Sequence, residues 1–264
     1  MINNLKNTIK KIIPHDVKIL IGKILRLFTY NNYDSTKYWK SRAKGRGQSS
    51  VLWKNENFNL LYREKQREII SGYMADNIHI LDIGCGTGYV AKIMLEINST
   101  MQIDAVDFEE MIIEAKKRND DKHINYIISS AEEFYDKSKQ YDLILSSGCL
   151  SAIRDIDKLK QAIKNITLMT KDSGTILMID PFHKWNYLAR AKYSSGDVES
   201  LMQKLGFMLV KKSGVIFWPY RERYANSNKN MEILKKEFDK GENILNKLGA
   251  HFWADYKILV FKKI

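Results

Sequence analysis

Three glycines at alternate positions, placed directly after an apolar run, restrict what this chain can fold into more than any other feature. Ile80-Leu81-Asp82-Ile83 reads as a buried strand, Gly84-Cys85-Gly86-Thr87-Gly88 as a turn, and Tyr89-Val90-Ala91 as the start of a helix. A strand, a glycine turn and a helix in that order make a nucleotide-binding turn. Glycine is needed because the main chain takes positive φ values and because a ligand must approach it where a Cβ would collide. The register narrows the ligand. Dinucleotide turns space their glycines G-x-G-x-x-G, whereas here the third comes one residue early and Tyr89 fills its place. Asp82, two residues ahead of the first glycine, would repel a pyrophosphate and attract an ammonium group.

A second anchor follows. Met101 to Asp107 reads as a strand closing on a carboxylate 19 residues beyond Gly88, and an acid at about 20 residues accepts ribose hydroxyls. Asp82, Gly84, Gly86 and Gly88 give the stretch a motif that resembles motif I of the class I S-adenosylmethionine-dependent methyltransferases. The resemblance implies S-adenosylmethionine as cofactor, its amine at Asp82, its ribose at Asp107 and its adenine against Phe108. Cys85, inside the turn, belongs to the same cofactor set. In Ser129-Ser130-Ala131-Glu132 the family often has an acid where this chain has Ser130, which leaves the Ser130 hydroxyl or the Ala131 main chain for the adenine amine. Glu132 and Ser147 complete the expected cofactor contacts.

The alternation of strand and helix continues over residues 60–217. Ile124 to Ile128, Tyr141 to Ser147 and Thr175 to Asp180 read as strands three to five, with Gly148 to Ser151 lining the pocket beyond strand four. A helix over residues 200–207 precedes strand six at Met208 to Phe217, and Tyr256 to Phe261 reads as the last strand. The expected fold is α/β: a doubly wound, Rossmann-like, seven-stranded sheet, mostly parallel with an antiparallel C-terminal strand, plus an N-terminal helical lid. In the family the last strand inserts between five and six after a short hairpin. Here residues 218–255 intervene, with a helical pattern around Met231, Leu234, Phe238, Leu245 and Leu248. The chain divides into a basic amphipathic segment and lid, residues 1–57, and a cofactor-binding domain, residues 58–264.

At 264 residues and 44% hydrophobic composition, the chain can bury a sizeable core. Cys85 and Cys149, its two cysteines, make no disulfide framework and suit a reducing compartment. No run of 18 apolar residues is present, so a cytoplasmic protein is expected. The charge is uneven. Residues 1–50 hold eleven bases and two acids, +9 of the total +12, which points to an anionic partner for that segment. Ile13, Val17, Leu20, Ile24 and Leu27 recur at helical spacing, with Lys18, Lys23 and Arg26 off the stripe. Such a helix either packs on its own domain or a second subunit, or lies peripherally on the inner membrane face through residues 1–28.

Tyr38, Trp39 and Arg42 resemble the lid that many family members fold over the cofactor. That likeness implies Arg42 at the methionine carboxylate, with Tyr38 and Trp39 at the substrate; a solvated basic loop is the other reading. Asp180-Pro181-Phe182-His183 sits at the carboxyl end of a parallel strand, where ligands bind in open sheets. An alcohol acceptor must lose a proton, so His183 is the expected base and Asp180 its orienting partner or substitute. Tyr220, Arg221, Arg223 and Tyr224 either grip a phosphate or carboxylate or form a polar rim. No histidine clusters with cysteine at metal-ligand spacing, so no metal is expected.

The implied function is methylation of oxygen on a small molecule: a sugar, a glycan precursor or a lipid-like, lipid-linked acceptor. The rival readings are an RNA methyltransferase and a non-catalytic protein that keeps the fold. The intact acids and glycines oppose the second. Against nucleic acid, Ser146-Ser147-Gly148-Cys149 stands where amino-group methylation of bases uses Asn/Asp-Pro-Pro-aromatic.

Overall fold

The computed structural model describes residues 35–43, 51–183 and 193–264. The amphipathic stripe of residues 1–28 lies outside them. Seven strands form one sheet: β1 (His79–Ile83), β2 (Gln102–Asp107), β3 (Ile124–Ile128), β4 (Tyr141–Ser147), β5 (Thr170–Asp180), β6 (Phe207–Phe217) and β7 (Ala254–Lys263). Their order is β3-β2-β1-β4-β5-β7-β6. β1 to β5 run parallel, and β7 pairs antiparallel with both β5 and β6. The fold is therefore the mixed doubly wound sheet that the alternation of elements predicts.

Side-chain alternation explains why helices cover both faces. Ile80, Ile103, Ala105, Leu143, Leu145, Leu177 and Val260 point to one face. There they meet α2 (Glu56–Ser71), α3 (Tyr89–Ile97), α4 (Glu109–Arg118) and α8 (Met231–Leu248). Leu81, Ile83, Ile144, Ile176, Met178 and Phe261 point to the other, beneath α5 (Ile156–Leu168) and α6 (Ser195–Lys204). A strand buried on both faces has no polar alternation, which is why these segments read as continuous apolar runs. Helix α1 (Ser35–Ala43) lies on α4, where Lys40 stands 3.6 Å from Glu110.

Local signals set the helix starts. Asn55 caps α2 by accepting from the Phe58 amide, and its own amide group donates to the carbonyls of Tyr224 and Ser227 at 2.8 and 2.9 Å. One residue thus starts a helix and ties the insertion to it. Ser194 and Asp197 form a capping box at α6.

The expected insertion carries structure of its own: a 3-10 turn at Trp218–Tyr220, α7 (Arg221–Ala225), α8 and α9 (Ala250–Trp253). Leu234, Phe238 and Leu245 are buried, whereas Leu248 is exposed near the end of α8. β6 turns into the insertion at Ile216, which has φ 66°, and the Glu242 carboxylate accepts from the Phe217 amide at 3.2 Å. Among the described residues no helix is long and apolar enough to cross a membrane.

Candidate functional site

The glycine turn bends because β2 holds it. The amides of Gly84 and Cys85 both donate to the Val106 carbonyl, at 2.8 and 3.0 Å, and the Gly86 amide donates to Asp107 Oδ2 at 2.7 Å. Gly84 has φ 76°, and a Cβ there would stand 2.3 Å from the Cβ of Cys149. Gly88 is glycine for another reason: its Cβ would meet the Tyr126 hydroxyl at 2.9 Å and Ala115 at 3.1 Å. It therefore serves helix packing, and it does not line the cavity beside the turn.

That cavity measures about 620 Å³ and opens at the carboxyl edge of the sheet, a size typical of small-molecule sites. Asp82, 1% exposed, forms part of its wall, and Asp82 Oδ2 is buried without a hydrogen-bond partner. Burial, and secondarily the charge of Asp107, pushes the Asp82 carboxyl up to about 7. Arg63 faces the same space from α2. Its Nη1 donates to Gln66 Oε1 at 2.6 Å, Gln66 Nε2 donates to Ser147 Oγ at 2.6 Å, and the guanidinium covers the Tyr89 ring at 4.9 Å. The sequence reading missed this arginine. Its signal is that Arg63 and Gln66 interrupt the buried stripe of Phe58, Leu61, Tyr62 and Ile70.

Asp107 is oriented by two amides, Gly86 on Oδ2 and Phe108 on Oδ1, both at 2.7 Å. Burial outweighs those bonds and raises its carboxyl to about 6. Phe108 lines the cavity with Lys40 over its ring at 5.6 Å. Ser130 Oγ is buried without a partner, and Ala131 adjoins it in the wall. Glu132 also lines the cavity, but its Oε1 takes Lys158 at 2.8 Å.

Tyr38, Trp39 and Arg42 of α1 reach the same cavity, and Arg42 Nη2 donates to the Leu52 carbonyl at 3.0 Å. Trp53 is fixed by Asn59, which bonds both its amide (3.1 Å) and its carbonyl (2.8 Å). Trp53, Tyr62 and Tyr256 then make an aromatic wall, with the two tyrosine rings 4.8 Å apart. Of the four insertion residues expected to grip a ligand or form a rim, Arg221 lines the cavity, 3.4 Å from Asp255 and 3.2 Å from Glu222. Tyr220, Arg223 and Tyr224 do not: Arg223 lies over the Tyr220 ring at 5.0 Å, Tyr220 packs on Phe217, and Tyr224 is buried with its hydroxyl donating to the Glu237 carbonyl.

The two expected proton-handling residues are also placed differently. Asp180 is fully buried and accepts from Ser146 Oγ at 2.7 Å and the Ser151 amide at 3.0 Å, so it braces the loop after β4. His183 is outside the cavity lining, its Nε2 donates to the Asp255 main-chain carbonyl at 2.5 Å, and burial lowers it to about 4. An imidazole outside the lining whose Nε2 proton is committed to a main-chain carbonyl does not face an acceptor. Among the described residues, no group of three or more histidine, cysteine or acidic side chains is arranged to hold a metal ion.

Residues 80–174 match a family model described as a methyltransferase domain. The strand order and the acids near the ends of β1 and β2 agree with that match. Residues 80–174 are a methyltransferase domain, set in the fold of the class I S-adenosylmethionine-dependent methyltransferases. Among curated proteins it is 35% identical over 102 residues to a malonyl-[acyl-carrier protein] O-methyltransferase of Bacillus anthracis, covering 38% of this chain and 36% of that one. It is 33% identical over 179 residues to malonyl-[acyl-carrier protein] O-methyltransferase 1 of Ilyobacter polytropus, covering 65% and 61%. The chain thus spans from about a third to three fifths of these relatives' lengths. A crystal structure of the N-methyltransferase NodS from Bradyrhizobium japonicum, with S-adenosyl-L-homocysteine, matches 88% of this chain and 99% of its own at TM-score 0.61 and 12% identity, which is a likeness of fold.

The family's cofactor is S-adenosylmethionine, and the cavity suits it on three counts. A buried carboxylate oxygen at Asp82 lacks a partner where an ammonium would supply one. The glycine turn leaves main chain open to the cavity at Gly84 and Gly86, beside the amide-oriented Asp107. Ser130 Oγ, buried and unpartnered, offers an acceptor for an adenine amine.

Proposed function

We propose that this methyltransferase acts on an oxygen of a small molecule: a sugar, a glycan precursor or a lipid-like acceptor. The unpartnered Asp82 Oδ2 in the cavity wall is the observation that carries the cofactor half of this reading. When bound, S-adenosylmethionine supplies a methyl carbon made electrophilic by its sulfonium. Asp82 pairs with its ammonium, Asp107 accepts from its ribose hydroxyls, and Phe108 and Ser130 take the adenine. Arg63 and Arg42, two of the cations that line the cavity, meet its carboxylate. The aromatic wall of Trp53, Tyr62 and Tyr256 excludes water and holds the acceptor beside Ser147 and Gly148. Such placement supplies much of the rate in an in-line displacement.

Titration calorimetry with S-adenosylmethionine and S-adenosylhomocysteine tests the cofactor half. A screen of acceptors with isotopically labelled cofactor, read by mass spectrometry, tests the other. Labelled nucleosides in RNA, and not in small hydroxyl compounds, would replace this reading.

A further inference from the structure

Asp255 stands second in β7, 2% exposed, in the cavity wall next to Tyr256. Its two oxygens differ. Oδ2 lies 3.4 Å from Arg221 Nε, whereas Oδ1 is buried and has no hydrogen-bond partner. The start of the strand is pinned. His183 Nε2 donates to the Asp255 carbonyl, and the Lys257 ammonium donates to the carbonyls of His251, Phe252 and Ala254. Gly148 adjoins Tyr256 in the cavity wall, where a Cβ of Gly148 would stand 3.9 Å from the Tyr256 hydroxyl. The end of β4 and the start of β7 thus border one side of the cavity, with one unpartnered carboxylate oxygen in that wall.

Resting on the methyltransferase reading above, we propose that Asp255 Oδ1 accepts the proton of a hydroxyl group on the acceptor. The acceptor is accordingly methylated as an alcohol or phenol, and not as a carboxylate. The acceptor oxygen forms its bond to the methyl carbon while the carbon–sulfur bond breaks, the electron pair goes to sulfur, and the hydroxyl proton goes to Asp255. Burial raises the Asp255 carboxyl, which makes it a better proton acceptor than an exposed aspartate. A carboxylate acceptor is already ionised and needs no such group. It would also meet repulsion from Asp255 and Glu222, whose charges already face Arg221.

The test uses the full chain, methyl-labelled cofactor, and a set of probes: catechol, methyl glucoside and geraniol as hydroxyl compounds, malonyl-N-acetylcysteamine as a carboxylate. Methyl ethers are expected from at least one hydroxyl probe, with no methyl ester. On that probe Asp255→Asn should lower kcat about 100-fold or more, in the range for lost proton transfer, and remove the acid limb of the pH profile. Cofactor Kd and acceptor KM should stay within about twofold, and Asp255→Glu should recover part of the rate. The proposal is overturned by a methyl ester as main product, by wild-type turnover in Asp255→Asn, or by no ether from any hydroxyl probe with a chain that binds the cofactor. Failure to bind the cofactor at all would instead sink the methyltransferase reading.

Discussion

The main-chain amide of Gly86 donates to Asp107 Oδ2 across 2.7 Å, so the acid at the end of β2 holds the glycine turn as well as facing the cavity. One carboxylate therefore links the two halves of the cofactor site. Replacing it by alanine removes a ligand contact and loosens the turn together. Asp107→Ala should weaken S-adenosylhomocysteine binding at least tenfold, about 1.4 kcal/mol. Calorimetry at pH 8 checks it.

Cofactor binding should release protons in weakly acidic solution. In the free protein Asp82 is raised to about 7 and Asp107 to about 6, so both bind protons at pH 6 that an exposed aspartate would not. An ammonium beside Asp82 favours its ionised form. Affinity should therefore rise as pH increases from 6 to 8. The free protein's stability runs the opposite way: the part due to Asp82 is full below the unfolded aspartate range and is lost as pH rises through about 7. Binding enthalpies in phosphate and bis-Tris at pH 6 should differ in proportion to the protons released and the buffers' protonation heats, and Asp82→Asn should shrink that difference.

Gly84→Ala should be strongly destabilising. The new Cβ would sit 2.3 Å from the Cβ of Cys149 while the backbone keeps φ 76°. The left-handed conformation alone costs about 1–3 kcal/mol for a non-glycine residue. Adding Cys149→Gly should recover the collision and leave the conformational part. Thermal unfolding of the single and double variants separates the two.

The opposite edge of the sheet carries a purely structural cluster. Asp104, 3% exposed, accepts from Asn125 Nδ2, Lys139 Nζ and the Tyr141 hydroxyl at 2.7 Å each, with His79 Nε2 at 3.3 Å. Burial pushes its carboxyl up, but these bonds outweigh burial and hold it well below the usual range. The stability it contributes is therefore present above the unfolded aspartate range and lost as pH falls. Asp104→Ala should cost about 3 kcal/mol in denaturant unfolding and leave cofactor Kd unchanged.

Much of the cofactor half is legible in the chain because its parts are local. Strand, turn and helix from Ile80 to Ala91 are contiguous, and Asp107 follows within one strand–helix–strand unit. The acceptor half is not local. Asp255 meets Arg221 only through the insertion, and the partner that occupies His183 is a carbonyl 72 residues away, which no side-chain pattern announces. Around Tyr220, the 3-10 turn passes into α7, and successive side chains on such helices fan around the axis. Of the four expected residues, Arg221 alone thus reaches the cavity. Arg63 was hidden for the reverse reason, as a charged residue spaced like a core one.

The position of β7 between β5 and β6 has a consequence for biosynthesis. β3-β2-β1-β4 can assemble from neighbouring segments, but β5 keeps one edge unpaired until Ala254–Lys263 has left the ribosome. Nascent chains would acquire a cofactor cleft before they acquire Asp255 and Tyr256, and until then they would expose a sticky strand margin that chaperones must shield.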